Sequence, residues 1–140
     1  MELLEDRRHL IVKLEAGEPV LGSLLTVARG HGLKGAVLSG IGAVGHARLG
    51  FFLPEEKRYE TRDFHESLEV LSLSGNLAQS ETGPVIHAHV ALGRADFSVI
   101  GGHLFEATVS VTLEVFLSQV AARIERRHDP RFDLKLLRLR

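Results

Sequence analysis

The sequence predicts an α+β fold with a mainly antiparallel, mixed sheet of about six to eight strands packed on one main helix. Three observations carry this. Only residues 20–29 place apolar side chains at helical spacing. Most of the remainder breaks into short apolar runs separated by turn residues. No further helical stripes alternate with those runs, as βαβ units would require. A length of 140 residues without linker, repeat or low-complexity stretch fits a single domain over residues 1–140.

Residues 9–14 read as a strand closed by the Ala16-Gly17-Glu18-Pro19 turn. Pro19 suits the first turn of a helix, where a missing N–H has no intrahelical partner. Leu21, Leu24, Leu25 and Ala28 give that helix its apolar face, and Gly30 and Gly32 end it. Residues 36–39 form a short apolar strand. Residues 47–53 and 57–64 flank Pro54-Glu55-Glu56 as a hairpin. Residues 68–77, 85–92, 97–104 and 108–117 follow as strands, and residues 134–139 close the chain. Residues 119–128 suit a short helix or an extended segment equally.

Composition narrows the chemistry. The absence of Cys removes disulfides, thiolate metal sites, Fe–S clusters and cysteine nucleophiles together. The charged N-terminus lacks the apolar run of a signal peptide, and no stretch approaches the ~20 apolar residues of a spanning helix. A cytoplasmic protein without a membrane partner is the expectation. A formal charge of −1 argues against sequence-independent nucleic-acid binding, which needs a basic excess. The charge is uneven, because residues 119–140 carry +4 and the rest −5. The basic residues there are Arg123, Arg126, Arg127, Arg131, Lys135, Arg138 and Arg140. They read as an ordinary solvated edge or as a contact surface.

Gly40-Ile41-Gly42-Ala43-Val44-Gly45 matches G-x-G-x-x-G literally. A dinucleotide fold needs a helix next, its N-terminus facing the pyrophosphate. Strand-like Ala47-Arg48-Leu49-Gly50-Phe51-Phe52-Leu53 follows instead, so the motif is read as a glycine-rich turn between strands.

Eight histidines are many for a small domain. His87-Ala88-His89 lies in a predicted strand whose alternate residues Ile86, Ala88, Val90 and Leu92 define a core face, so both imidazoles point the other way. Their Cα atoms stand about 6.6–7 Å apart, close enough to converge on one ion. If Arg94-Ala95-Asp96 is a three-residue loop, Gly93 faces Phe97, His87 faces His103, and His89 faces Gly101, with open space beside it. The three imidazoles then share a face, whereas a slip of one residue moves His103 away. Three His without a fourth ligand leave a metal position open. His9, His31, His46, His65 and His128 read as surface or core histidines. Glu69, Glu106 and Glu114 are acidic candidates for proton transfer or for orienting a ligand. Glu114 serves such a role or simply faces solvent.

These residues carry a resemblance. Gly40-Ile41-Gly42-Ala43-Val44, the run Glu69 to Asn76, His87-Ala88-His89 and Gly101-Gly102-His103-Leu104 together resemble the PPC (plants and prokaryotes conserved) domain of the stand-alone prokaryotic type. The resemblance implies an α+β homotrimer. It also implies a divalent metal ion, usually zinc, on three histidines that map onto His87, His89 and His103. In plants the domain accompanies AT-hooks, whose Arg-Gly-Arg-Pro core this chain lacks.

Two functions follow as expectations. One is a metal-binding protein whose open three-His site binds or transforms a small ligand. The other is an oligomeric, DNA-associated or regulatory interaction module without catalytic activity. The residues supply metal ligands but no unambiguous general base or nucleophile.

Overall fold

A computed structural model describes residues 1–139, so Arg140 lies outside the described residues. The described elements run β1 (Glu2–Asp6), β2 (His9–Glu15), α1 (Val20–Gly30), β3 (Ala36–Leu53), β4 (Arg58–Phe64), β5 (Leu68–Ser80), β6 (Gly83–Gly93), β7 (Val99–Gln119), β8 (Glu125–Asp129) and β9 (Leu134–Arg138). The α+β architecture is as the sequence predicts, with nine strands rather than six to eight among the described residues.

Two strands stand outside the expected set, β8 and β1; the β1 sequence Glu-Leu-Leu-Glu-Asp gives no alternation, and pairing with β2, not patterning, makes it a strand. Two expected strand pairs are instead single long strands. Residues 36–39 and 47–53 join as β3, because the glycine-rich segment is not a turn but a bulged stretch of strand. Irregularities between Gly40 and Gly42, and between Gly42 and His46, bend β3 without interrupting its pairing with β7. Residues 97–104 and 108–117 likewise merge into β7. Residues 120–124 form an irregular link between β7 and β8, so no helix forms there.

The sheet follows the order β1-β2-β7-β3-β5-β8-β9, with β4 added to β3 and β6 bridging β5 and β7. All pairings are antiparallel except the single β5–β8 contact, Gln79 with Glu125. Because β3 pairs with β5 and β7, and β6 pairs with both as well, these four strands close a circuit. Its interior holds Val44, Leu73, Val90, Leu92 and Leu104, all buried. Helix α1 packs on this core through Val20, Leu24, Val27 and Ala28, with Leu21 and Leu25 only partly covered. The buried stripe is therefore rotated from the predicted one. Pro19 caps the helix from outside, and Gly32, at φ +61°, reverses the chain after it.

Candidate metal centre

β6 alternates as its sequence requires. Ile86, Ala88, Val90 and Leu92 enter the core, and His87 and His89 project from the other face. β7 brings His103 beside them, but with a different register from the expected one. His89 faces His103, Gly101 faces Ala91, and Gly93 faces Val99. The loop has five residues because Asp96 accepts the Ser98 N–H at 2.9 Å and its hydroxyl at 2.6 Å, while Phe97 takes a left-handed φ of +66°. That turn holds Phe97 and Ser98 out of the ladder. The slip is by two residues, so His103 keeps its face and the trio survives. Gly101 does not open space beside His89; a Cβ there would meet the Val90 carbonyl at 2.6 Å.

The ligand atoms of His87, His89 and His103 all lie within 4.8 Å of one another. Nε2 of His87 is 3.1 Å from Nε2 of His89. Two nitrogens on one tetrahedral ion, at bonds of 2.0–2.1 Å, stand about 3.3 Å apart. Ring centroids are 5.0–5.5 Å apart. Burial, helped by the neighbouring imidazoles and Arg126, pushes the His103 pKa down to about 4. Burial also lowers that of His87, with Arg126 and His89 adding to the effect. Both rings are thus neutral at pH 7, the form in which imidazole ligates a metal. The donor set fits a divalent ion.

Two glycines permit this packing. At Gly75, across the ladder from Ala88, a Cβ would lie 2.2 Å from the His87 carbonyl oxygen. At Gly50, across from His103, it would lie 2.4 Å from the Phe105 ring and 2.9 Å from the Tyr59 ring. The Tyr59 ring from β4 and the Phe105 ring from β7 therefore meet over Gly50 and flank His103, with centroids at 4.8 Å for Tyr59 and 4.6 Å for Phe105. The Tyr59 hydroxyl lies 3.5 Å from His103 Nδ1. Burial raises the Tyr59 pKa, so the phenol stays protonated.

The other wall comes from the C-terminal hairpin β8–β9. Arg126 is 7% exposed, so it is not part of a basic contact surface as the sequence suggested. Its Nη2 donates to Asn76 Oδ1 at 2.7 Å and lies 3.3 Å from His87 Nδ1, while Nη1 donates to the Lys135 carbonyl at 3.1 Å. Arg123, Arg127 and Arg131 pair with Glu125 and Asp129 and stay at the surface. Tyr59, Val85, His87, His103, Arg126 and Leu134 line a cavity of about 240 Å³ here.

Glu69, Glu106 and Glu114 are exposed and stand elsewhere. Glu69 and Glu114 flank a shallow groove with Ile41 and Leu71, and Glu106 pairs across the ladder with Arg48. Glu114 faces solvent. His9, His31 and His128 are surface residues beside Ser118, Glu5 and Asp133.

Sequence reasoning missed a second group, His46, Asp63 and His65, whose ligand atoms also lie within 4.8 Å. The β3–β4 loop has four residues, with Lys57 at φ +50°, so Ala47 faces Phe64 and the ladder's extension sets His46 opposite His65. The assumed three-residue loop would place it opposite Phe64. His46 Nε2 is 2.8 Å from Asp63 Oδ1, and the His46 and His65 rings stack at 4.5 Å. Stacked rings direct their lone pairs alongside each other rather than at one point.

Residues 1–121 match the Plants and Prokaryotes Conserved (PCC) domain. The chain belongs to the PCC family. No curated protein matches it. Several solved structures share its fold, among them three crystal structures. A "putative DNA-binding protein" from Bacteroides thetaiotaomicron is 27% identical, with a TM-score of 0.94, over 98% of this chain and 96% of that one. A metal-containing protein from Archaeoglobus fulgidus is 34% identical, with a TM-score of 0.86 and 94% of both chains covered. A plant- and prokaryote-conserved protein from Pyrococcus horikoshii is 29% identical, with a TM-score of 0.86, over 99% of this chain and 95% of that one. Arg126 lies just beyond the residues matched to the PCC domain. No helix among the described residues of this PCC chain is long and apolar enough to cross a membrane.

Proposed function

We propose that this PCC protein binds a divalent metal ion, zinc by preference, on His87, His89 and His103, and presents it to a small ligand. The observation that carries the reading is the convergence of three imidazoles from two adjacent strands beside an open cavity. The Archaeoglobus relative, described as metal-containing, supports it. A bound ion would supply Lewis acidity to water or to a ligand oxygen. The chain's own residues fix the rest. Tyr59 and Phe105 hold the His103 ring, and the Tyr59 oxygen can accept from Nδ1, leaving Nε2 for the ion. Among the described residues no carboxylate contacts the three rings, so the site has ligands and an orienting phenol but no general base. Binding is therefore the activity proposed, and hydrolase or lyase chemistry is not. Metal analysis after chelation and reloading tests it: one equivalent per chain in the wild type and almost none in His103→Ala support the reading, whereas equal stoichiometry overturns it.

Self-association, as a homotrimer, is proposed as well. Val37, Ile41, Phe116, Val111 and Leu71 are exposed large apolar side chains on β3, β7 and β5, a patch of the kind that subunit contacts cover. A second reading, an oligomeric DNA-associated module, draws on the name of the Bacteroides relative. It fits less well, since Arg126 is buried and Arg123, Arg127 and Arg131 have acidic partners. Duplex binding that persists to about 200 mM salt would favour it, because weak phosphate contacts fade steeply over that range.

A further inference from the structure

We infer that Arg126 makes the cavity beside the three histidines a receptor for a small carboxylate carrying a short apolar body. The inference deepens the metal-binding reading and rests on it for the second contact point. Four observations carry it.

First, Arg126 is a buried cation without a counter-ion. Among the described residues no Asp or Glu pairs with it, whereas Arg123, Arg127 and Arg131 have acidic partners. Burial lowers its pKa, yet a guanidinium keeps its proton in a protein. A buried charge that lacks an opposite charge is costly unless something else supplies one.

Second, its donors are not used up. Nε is buried and has no hydrogen-bond partner, and Nη1 has one acceptor for two N–H groups. Buried unsatisfied donors are rare in folded proteins. The contact with His87 adds to this. His87 Nδ1 can accept from Nη2 only while it carries no proton, and a ring that ligates through Nε2 carries its proton on Nδ1. A loaded site therefore leaves a further Arg126 N–H without its acceptor.

Third, charge at the site is one-sided. Imidazoles that ligate a metal carry no charge, so a divalent ion and a guanidinium sum to about +3, and no carboxylate among the described residues contacts the three rings. A ligand that brings negative charge is the one such a field selects.

Fourth, the walls define the ligand's body. Val85, Ile86, Leu134 and Leu136 line the same cavity, whose volume of about 240 Å³ suits a few heavy atoms. The Lys57 ammonium donates to the Pro130 carbonyl at 3.2 Å and ties the β8–β9 turn to the β3–β4 turn, holding the hairpin over the opening. Beside the histidines, Arg126, Tyr59 and Lys135 are the polar residues of the lining, and the planar guanidinium fork matches the two oxygens of a carboxylate.

The experiment uses the full chain loaded with Co²⁺, whose absorption bands report ligand entry, with calorimetry alongside. Butyrate is the probe, butyramide its uncharged counterpart and inorganic phosphate the competing anion. Butyrate should shift the cobalt bands and bind at least tenfold more tightly than butyramide or phosphate. Arg126→Met should weaken butyrate about tenfold to a hundredfold, the worth of a charge-assisted hydrogen bond, compared at matched cobalt loading. Arg126→Lys should restore part of the loss. Equal binding of butyrate and butyramide, tighter binding of phosphate, or an undiminished butyrate affinity in Arg126→Met would each overturn the proposal. The acid-against-amide comparison needs no variant, so a misfolded Arg126→Met does not decide the matter. If the wild type takes up no cobalt, the metal reading falls by itself. Butyrate is then titrated into the metal-free chain, where an acid preference supports the role of Arg126 and its absence refutes it.

Discussion

His89 and His103 occupy the same cross-strand position on β6 and β7, and His87 stands two residues along on the same face. Cross-strand partners have Cβ atoms roughly 4.5–5.5 Å apart, so this one pairing sets the spacing on which the trio depends. The proposed metal site is a property of strand register, and its tests follow from that.

Removing one ring should empty the site without unfolding the chain. His103 is only partly buried and lies outside the apolar core, so His103→Ala should leave the circular dichroism spectrum intact. Zinc affinity should fall by more than the roughly 10–100-fold that loss of an orienting partner costs. Competition against a chromophoric chelator measures this.

Gly75→Ala should disturb both stability and metal binding. The added methyl would meet the His87 carbonyl and the Ala88 Cα, at 2.2 and 2.8 Å, and neither backbone atom can step aside alone. Overpacking of this kind costs about 1–3 kcal/mol. Urea denaturation should show that loss, and zinc titration of the folded variant should show weaker uptake, because β6 must move.

The metal-free chain should lose stability as pH falls from about 6.5 towards 4. His103 has a pKa of about 4 when folded and an ordinary value near 6.5 when unfolded. Between those values the unfolded chain binds more protons, so acid favours unfolding there, and above pH 6.5 this contribution to stability is complete. His87 shifts in the same direction and adds to the slope. Denaturation midpoints at pH 7, 6, 5 and 4 should therefore fall less steeply for His103→Gln than for the wild type.

Charging the apolar face should dissociate the proposed trimer. Phe116 and Val37 are about half exposed, on adjacent strands. Phe116→Asp should shift sedimentation from trimer to monomer at micromolar concentration, while one zinc per chain is retained.

Much of this was readable from local pattern. The period of two in residues 85–92 gives the faces of His87 and His89, and a shift of the hairpin by an even number of residues cannot undo it. The lone helical stripe gives α1, though not its exact rotation. Tertiary terms govern the rest. Glycine-rich bulges carry β3 through a segment whose composition reads as a turn. The Asp96–Ser98 contacts set a loop two residues longer than the shortest fit, and Lys57 at φ +50° shifts the β3–β4 register by one, which hid His46 and His65. Tyr59 and Arg126 reach the site from β4 and β8, far away in sequence, and no local signal marks them. Arg126 looks like any surface arginine until the hairpin folds over it.

The closed circuit of β3, β5, β6 and β7 has a consequence for how an ion arrives. With neighbours on both sides, β6 should be among the last segments to exchange its amide hydrogens with solvent, while β1 and β9, at the open ends of the sheet, exchange early. The imidazoles on β6 are thus mounted on the stiffest part of the molecule. Capture should resemble docking into a finished socket, rapid and with little ordering left to do.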